Sequence, residues 1–382
     1  MNFELSDEQR QVISMVNQFA QNEIAPIEEH MDVSGEFPYT AWEKWSELGM
    51  AGILIPERYG GSGFDTLTYI LAMEALSRIS QTFALIWQVH VMVGNMYVAL
   101  GNEQQKQEWL PKFASGEILG AFALTEPGAG SDSAGIKTKA EREGDGCWRI
   151  NGSKIFISNA STRISNGTVL MAATGRKSDG APEISCFILP SDTLGYAIGQ
   201  SFEEMAWHGM TNNELILEDV VLPDANLLGI EGSGLKQALG ALNLGRIVFG
   251  ALGGSLIQAC LDESLAYTKE RKQFGKPLSK FQLTQAKLAD MAAHAEVIRA
   301  MSHRVAWRYD KGEDVHAEAA MLKLVGTRLA IQAAGEAFQL HGGYGFMREY
   351  RVNRLYREAQ ILAIGEGTNE IQQILIARSL GC

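Results

Sequence analysis

Cysteine, histidine and cationic charge are all scarce in this 382-residue chain. Its four cysteines, Cys147, Cys186, Cys260 and Cys382, stand far apart, so there is no CxxC pair and no disulfide framework. A reducing, cytoplasmic setting is the simplest expectation. Only seven histidines are present. Neither HExxH nor a zinc-spaced Cys/His set occurs, so nothing points to a metal centre. GxGxxG, GxxxxGK[ST] and GxSxG are missing too, so no Rossmann turn, phosphate loop or hydrolase elbow is indicated. Basic residues number 33 against 45 acidic, a net charge of −12, which is the wrong sign for general nucleic-acid binding. The start carries Glu4, Asp7, Glu8 and Arg10 instead of a basic stretch followed by an apolar one, which predicts no signal peptide. The apolar stretch Ala84–Leu100 is short for a span and is interrupted by Gln88, His90 and Asn95, so a buried helix is expected there and no membrane span.

What is present is an ordinary globular composition, 46% hydrophobic and 20% charged, in a helix–strand–helix order. Ser6 with Gln9 forms a capping box ahead of Val12, Ile13, Val16, Phe19 and Ala20 at helical spacing, with Pro26 ending the run. Further helices are expected over 40–54, 66–79 and 104–113. Near Gly120 the texture changes. Asn151-Gly152, between Trp148-x-Ile150 and Lys154-x-Phe156, reads as a type I′ hairpin turn, and short β runs follow at 168–173, 184–189 and 214–221. Long helices then return at 235–269, from Ser279 with Gln282 as its capping partner, at 315–340, and from Thr368. The expected fold is mainly α with a middle β-barrel: an N-terminal helical domain over 1–119, a β domain over 120–228 and a C-terminal four-helix bundle over 229–382.

Four glycine-containing clusters interrupt this pattern. Thr125-Glu126-Pro127-Gly128-Ala129-Gly130-Ser131-Asp132 combines a stiff turn, small residues and hydroxyls, and fits a ligand loop or a plain Gly-rich loop equally. Lys269, Arg271, Lys272, Lys276 and Lys280 surround Gln273-Phe274-Gly275. They could hold a phosphate, although cations at a helix C-terminus are also what the helix dipole favours, and spacing alone favours that second account. His341-Gly342-Gly343-Tyr344-Gly345 has more glycine than a helix stop needs. Glu366, between Gly365 and Gly367 and ahead of a helix, could be a pocket carboxylate or simply a helix N-terminal charge.

At these clusters the sequence resembles the FAD-dependent acyl-CoA dehydrogenase family. Matching strings run nearly end to end in the family's order: Ile55 to Gly61, Glu103 to Lys106, Thr125 to Asp132, Arg271 to Gly275, Gly342-Gly343 and Glu366 to Gln372. The resemblance implies an N-terminal helical domain, a middle β-barrel and a C-terminal bundle. It also implies FAD as cofactor and oxidation of an acyl-CoA to the trans-2-enoyl-CoA. Glu366 would take the alpha proton, flavin N5 would take the beta hydride, and electrons would pass to an electron-transfer flavoprotein. The same resemblance leaves room for an acyl-CoA oxidase, an enoyl-CoA reductase or a non-catalytic acyl-CoA-binding subunit.

By position, the resemblance assigns Phe122, Leu124, Thr125, Gly130, Ser131, Phe156 and Ser158 to the flavin and its pyrophosphate, and Thr368 and Glu370 to the ADP part. Arg271, Gln273, Phe274, Gln282, Gln339, Leu340, Gly342 and Gly343 would reach the FAD of a neighbouring subunit, which implies a homotetramer. Ser131, Asn243, Arg246, Gly367 and Arg378 fall near CoA or the base. Asn243 replaces a frequent Asp. Gly365 replaces a Tyr of several straight-chain members, which implies a wider pocket. Met205 to Met210 departs from the usual Gly-x-Arg-x-Ser/Thr pattern, which leaves no contact assigned to His208. Some branched-chain members carry the base on the first long bundle helix, but here that stretch, Leu244-Gly245-Arg246, has no Glu.

Overall fold

The computed structural model describes residues 4–144, 146–178 and 180–382. The N-terminal helices are α1 (Asp7–Phe19), α2 (Glu28–Ser34), α3 (Tyr39–Glu47), α4 (Thr66–Ser77), α5 (Gln81–Leu100) and α6 (Glu103–Ala114). The Ser6–Gln9 capping box is present, and Asp65, Ser80 and Asn102 accept from their N3 backbone N–H groups in the same manner. The aromatic rings Phe19, Trp42, Trp45, Phe83 and Trp87 interlock in tilted and edge-on pairs, which fixes the angles between these helices.

The middle domain holds β1 (Phe122–Ala123), β2 (Lys139–Glu143), β3 (Cys147–Ser158), β4 (Thr168–Arg176), β5 (Pro182–Leu189), β6 (Tyr196–Ser201), β7 (Asn212–Pro223) and β8 (Leu227–Leu228). They form one sheet in the order β6-β7-β3-β2-β4-β5-β8, with β1 alongside β4. The expected barrel is therefore corrected to an open sheet: its ends, β6 and β8, are not paired with each other. β8 is only two residues long, and the next helix packs on β5 beside it, so that edge is covered instead of closed. The expected hairpin at Asn151-Gly152 is also absent. Both residues lie inside β3, where its register against β7 shifts between Ile150 and Gly152. Asn151 accepts from the Asp219 N–H (2.8 Å) and so supports a bulge in the partner strand instead of turning its own. Gly152 is required because a Cβ there would stand 2.5 Å from the Thr138 hydroxyl.

The C-terminal part comprises α7 (Gly234–Glu270), a hairpin of β9 (Lys272–Gln273) and β10 (Lys276–Pro277), α8 (Gln282–Asp310), α9 (His316–His341), α10 (Arg351–Leu362) and α11 (Asn369–Ser379). Helices α7, α8 and α9 pack on one another. α10 packs against both α7 and α9, and α11 lies on α9, so the fourth side of the bundle is shared by two helices. Ser279 does not cap α8. A 3₁₀ turn over 278–280 intervenes, and Phe281 precedes the helix with no side-chain cap. By length and composition α5 and α7 could each cross a membrane, yet both are core helices: α5 packs against α7, and α7 against α4.

Candidate active site

Glu366 sits in the turn between α10 and α11 with φ 53°, a left-handed backbone that costs a non-glycine residue about 1 kcal/mol or more. Buried partners hold it there. The Lys323 ammonium on α9 donates to Gly367 O (2.9 Å), Ala363 O (3.2 Å) and Asn369 Oδ1 (3.0 Å). Gln372 Nε2 donates to Glu366 O and Gly367 O, and Thr327 adds a bond to Asn369 Oδ1. Burial pushes the Lys323 ammonium down to about 8.

The carboxylate points inward. Gln88 Nε2 on α5 donates to Oε1 at 3.2 Å, while Oε2 is sealed from solvent with no partner among the described residues. Burial drives the Glu366 carboxyl up to about 7, against the opposing pull of Gln88, Arg246 and Lys323. Tyr69 on α4 is close enough that Glu366 adds to the rise burial already gives its phenol. Gly245 on α7 makes room for this carboxylate: a Cβ there would lie 2.6 Å from Oε2 and 2.7 Å from Cδ. A side chain at 245 and the carboxylate of 366 thus compete for the same space. Gly365 does not simply widen the cavity as expected. A Cβ there would meet the Phe249 ring at 2.8 Å, so Phe249 already fills that side.

Arg246 is buried beside the site. Its Nη1 donates to Asn243 Oδ1 (2.9 Å), His316 Nδ1 meets the same oxygen (3.0 Å), and Arg246 Nε has no partner among the described residues. Gly367 lies in the Glu366 turn itself, whereas Arg378 is exposed in the last turn of α11. Thr368 caps α11 by accepting from Ile371 N, and exposed Glu370 follows in its first turn.

A second group converges on the sheet. Lys154 of β3 is completely buried, and its Nζ reaches Leu124 O (3.1 Å) and Glu126 Oε1 (2.7 Å). Glu126 also accepts from the Lys137 and Thr138 N–H groups. Burial raises its carboxyl, but these bonds outweigh that and hold it below the ordinary range. Ile155 N donates to Thr125 O at 2.9 Å, which places Leu124-Thr125 against the Phe156–Ser158 end of β3. Phe122 pairs with Val169 of β4 nearby, and Ser131 is exposed on the following loop. Phe156 has φ 59° and its side chain is 58% exposed, so a ring stands out of the sheet beside this loop. Among the described residues nothing comes within 4 Å of a Cβ built on Gly128 or Gly130, and the buried Thr211 Oγ1, Asn212 Oδ1 and Asn213 Oδ1 next to Ser158 have no partner there. An open glycine loop, an outward aromatic and spare polar atoms fit the flat ring and pyrophosphate of FAD. Replacing Lys154 with Met strands the Glu126 charge and is expected to cost about 3 kcal/mol in urea denaturation; an unchanged midpoint would contradict this account of the loop.

The remaining expected cofactor residues form a third, separate group. Arg271 lies over the Tyr344 ring (5.7 Å), and Tyr267 stacks on His341 (4.1 Å), so the β9–β10 hairpin joins the Gly342-Gly343 turn. Gln273, Phe274 and Gln282 are exposed here, with Gln339 and Leu340 at the end of α9. At 1.5 Å per helical residue, Gln339 lies about 24 Å along α9 from Lys323, so within one chain this group is remote from Glu366. His208 is occupied structurally: Nδ1 meets Asp32 O (2.7 Å) and Nε2 meets Glu204 O (2.8 Å). Sequence reasoning missed Gln88, Tyr69, Gly245, Lys154, Lys323 and Gln372. The available signal was polar residues placed inside otherwise apolar stretches, such as Gln88 within 84–100 and Lys323 within an Ala-rich helix.

Comparison with known proteins agrees with this layout. The family descriptions "Acyl-CoA dehydrogenase, N-terminal domain", "middle domain" and "C-terminal domain" match residues 6–117, 121–220 and 232–381. The chain is 47% identical over 381 residues, 100% of both proteins, to "Probable acyl-CoA dehydrogenase YngJ" of Bacillus subtilis (strain 168). It superposes on the butyryl-CoA dehydrogenase from Megasphaera elsdenii with a TM-score of 0.96 at 37% identity, covering 100% of each chain. A chain of the structure described as the electron transferring flavoprotein of Acidaminococcus fermentans gives a TM-score of 0.95 at 37% identity, covering 100% of this chain and 99% of that one. With three helical and sheet domains in this order, each matched in turn, the chain belongs to the acyl-CoA dehydrogenase family and is an oxidoreductase.

Proposed function

We propose that this enzyme oxidises an acyl-CoA thioester to the trans-2-enoyl-CoA, with Glu366 as base, FAD as cofactor and an electron-transfer flavoprotein as acceptor, and that it works as a cytoplasmic homotetramer. The observation that carries the reading is a buried carboxylate with one oxygen tied and the other free, titrating near neutrality. A proton alpha to a thioester is very weakly acidic, so a well-placed base must act together with hydride loss from the beta carbon. The chemistry FAD supplies when bound is acceptance of that hydride. Glu366 Oε2 takes the proton. Among the described residues the Glu366 N–H has no protein acceptor, so it is available to the thioester carbonyl as the negative charge develops there. Phe122, Leu124, Thr125, Phe156 and Ser158 would hold the flavin, with Gly130 and Ser131 at its pyrophosphate.

The pH dependence follows directly. A base must be ionised to act, and burial raises this carboxyl to about 7. The kcat/KM is therefore expected to rise with pH through an acid limb near 7. A limb at the ordinary glutamate value would show that the base is exposed or is another group.

Phe274 supports the proposed assembly: its side chain is 93% exposed at the tip of the β9–β10 hairpin, on a backbone with φ 48°. An aromatic so displayed suits a neighbouring subunit's cofactor site. Phe274→Glu is expected to dissociate the tetramer and to release FAD together, read by sedimentation and flavin absorbance; loss of neither would remove the inter-subunit role. The reaction is identified by anaerobic bleaching of the flavin with a panel of acyl-CoAs. Oxygen consumption with peroxide would instead indicate an oxidase, and a colourless protein a binding subunit.

A further inference from the structure

We propose that Lys323 is the positioning residue of this site: one buried ammonium pins the Glu366 turn on both sides of that residue, and so sets the place of the base, the aim of its N–H and its readiness to ionise. The proposal rests on Glu366 being the base. The turn between α10 and α11 does little to hold itself. Glu366 and Gly367 are successive left-handed residues, with φ 53° and 82°, a backbone that disfavours a glutamate. Backbone bonds within the turn run from Ile364 N and Gly365 N to Ile361 O and from Asn369 N to Ala363 O, and among the described residues none involves Glu366 or Gly367. Their carbonyls are held by side chains.

Lys323 supplies the central part of that hold. It lies in α9, completely buried, with Leu322 and Leu324 as its neighbours in the chain. An ammonium taken out of water is stable only when it is paired or fully bonded. Here its donors meet Ala363 O (3.2 Å) ahead of Glu366, and Gly367 O (2.9 Å) and Asn369 Oδ1 (3.0 Å) behind it. Ala363 is the C-cap of α10, where the free carbonyls of the helix end favour a cation. Gln372 Nε2 adds bonds to Glu366 O (3.2 Å) and Gly367 O (2.9 Å), and Thr327 of α9 steadies Asn369. Because Ala363 and Gly367 bracket Glu366, a shift of the ammonium moves the carboxylate and the N–H together.

The ammonium also acts on the charge of the base. The charged and titratable groups facing Glu366 are Arg246 from α7, Lys323 from α9 and Tyr69 from α4. Those facing Lys323 are Glu366 in the turn, Glu370 from α11 and Arg246. Burial raises the carboxyl and Lys323 pulls against it, because a nearby opposite charge favours the ionised form. Arg246 pulls in the same direction but donates to Asn243 and not to the turn. Lys323 is thus the cation that joins the charge of the base to its position.

Two variants separate charge from position. Lys323→Met keeps the length of the side chain and removes its donors and its charge. Its kcat is expected to fall about 10²-fold with KM little changed and FAD retained, and its acid limb to move above 7. Lys323→Arg keeps the charge, but a planar fork cannot meet the same acceptors in the same places; kcat should fall while the limb stays near 7. Two readouts need no turnover. An infrared titration of the carboxyl band that vanishes in Glu366→Gln follows the base. The thioester carbonyl band of bound crotonyl-CoA, lowered when the Glu366 N–H donates to it, follows the aim of that donor. Both should shift in Lys323→Met, and the carbonyl band alone in Lys323→Arg. An unmoved carboxyl titration in Lys323→Met would overturn the electrostatic role. An unmoved kcat and carbonyl band in both variants would overturn the positioning role and leave a lysine that only stabilises the fold. Should Lys323→Met not fold, Lys323→Gln, an uncharged donor, takes its place with the same expected directions. Failure of the underlying reading looks different: Glu366→Gln would then reduce its flavin as fast as the wild type.

Discussion

Glu366→Gln is expected to keep its FAD and to reduce it about 10⁴-fold more slowly than the wild type with every acyl-CoA, in anaerobic stopped-flow traces. The amide is the same size and can still meet Gln88, so the pocket is kept while the proton acceptor is lost. Thioester binding, followed by charge-transfer absorbance or calorimetry, should survive. Rapid reduction by the amide variant would place the base elsewhere. The same substitution has a stability signature. The carboxyl titrates near 7 in the folded protein, above its ordinary value. Its neutral form is therefore compatible with burial at low pH, and the stability it contributes is lost as pH rises through about 7. Glutamine carries no such penalty. The difference in Tm between the two proteins should thus be smallest below about pH 4.5, grow in favour of the variant as pH rises toward 7, and level off above it.

Gly245→Ala is the second large effect. Alanine favours a helix interior by about 1 kcal/mol over glycine, so the substitution does not weaken α7 intrinsically. Its Cβ, however, would lie 2.6 Å from Glu366 Oε2, closer than a real Cβ approaches anything, so the carboxylate must move. Displacing a catalytic group by about 1 Å can cost about 10²-fold in rate. The expected result is kcat lower by about that factor with FAD content and unfolding midpoint near wild type. Full activity would mean that the carboxylate reaches its substrate from a different position. A collapse of stability without a selective loss of kcat would assign Gly245 to helix packing alone.

The two predictions depend on different kinds of information. Glu366 stood out in the sequence through the strings around it that match a family, since a carboxylate framed by glycines ahead of a helix fits a helix N-terminal charge as well. The alternation of helix, sheet and helix was visible too, since periodicities of 3.6 and 2 are local properties. Where local rules failed, tertiary contacts had overruled them. Asn151-Gly152 has the chemistry of a tight turn, yet the approach of Thr138 to Gly152 and the bonds from Asn151 to Asp219 keep the strand running through it. Ser279 and Gln282 have the spacing of a cap, yet the chain enters α8 through a 3₁₀ turn. Whether the sheet closes is a question of edge lengths and of what covers them, which no window of sequence contains.

Sequence by itself determined the three-part order, the acidic character and the glycine clusters, because each is written within a few neighbouring residues, and it singled out Glu366 as a candidate only through the resemblance. Only the tertiary structure decided that Gln88, 278 positions away, touches that carboxylate, that Gly245 vacates its seat, that Phe249 occupies the space beside Gly365, and that Lys323 anchors its backbone. These are contacts between helices far apart in the chain. Packing, not local preference, determines which side chains meet there, and burial in that packing is what raises the Glu366 carboxyl to about 7.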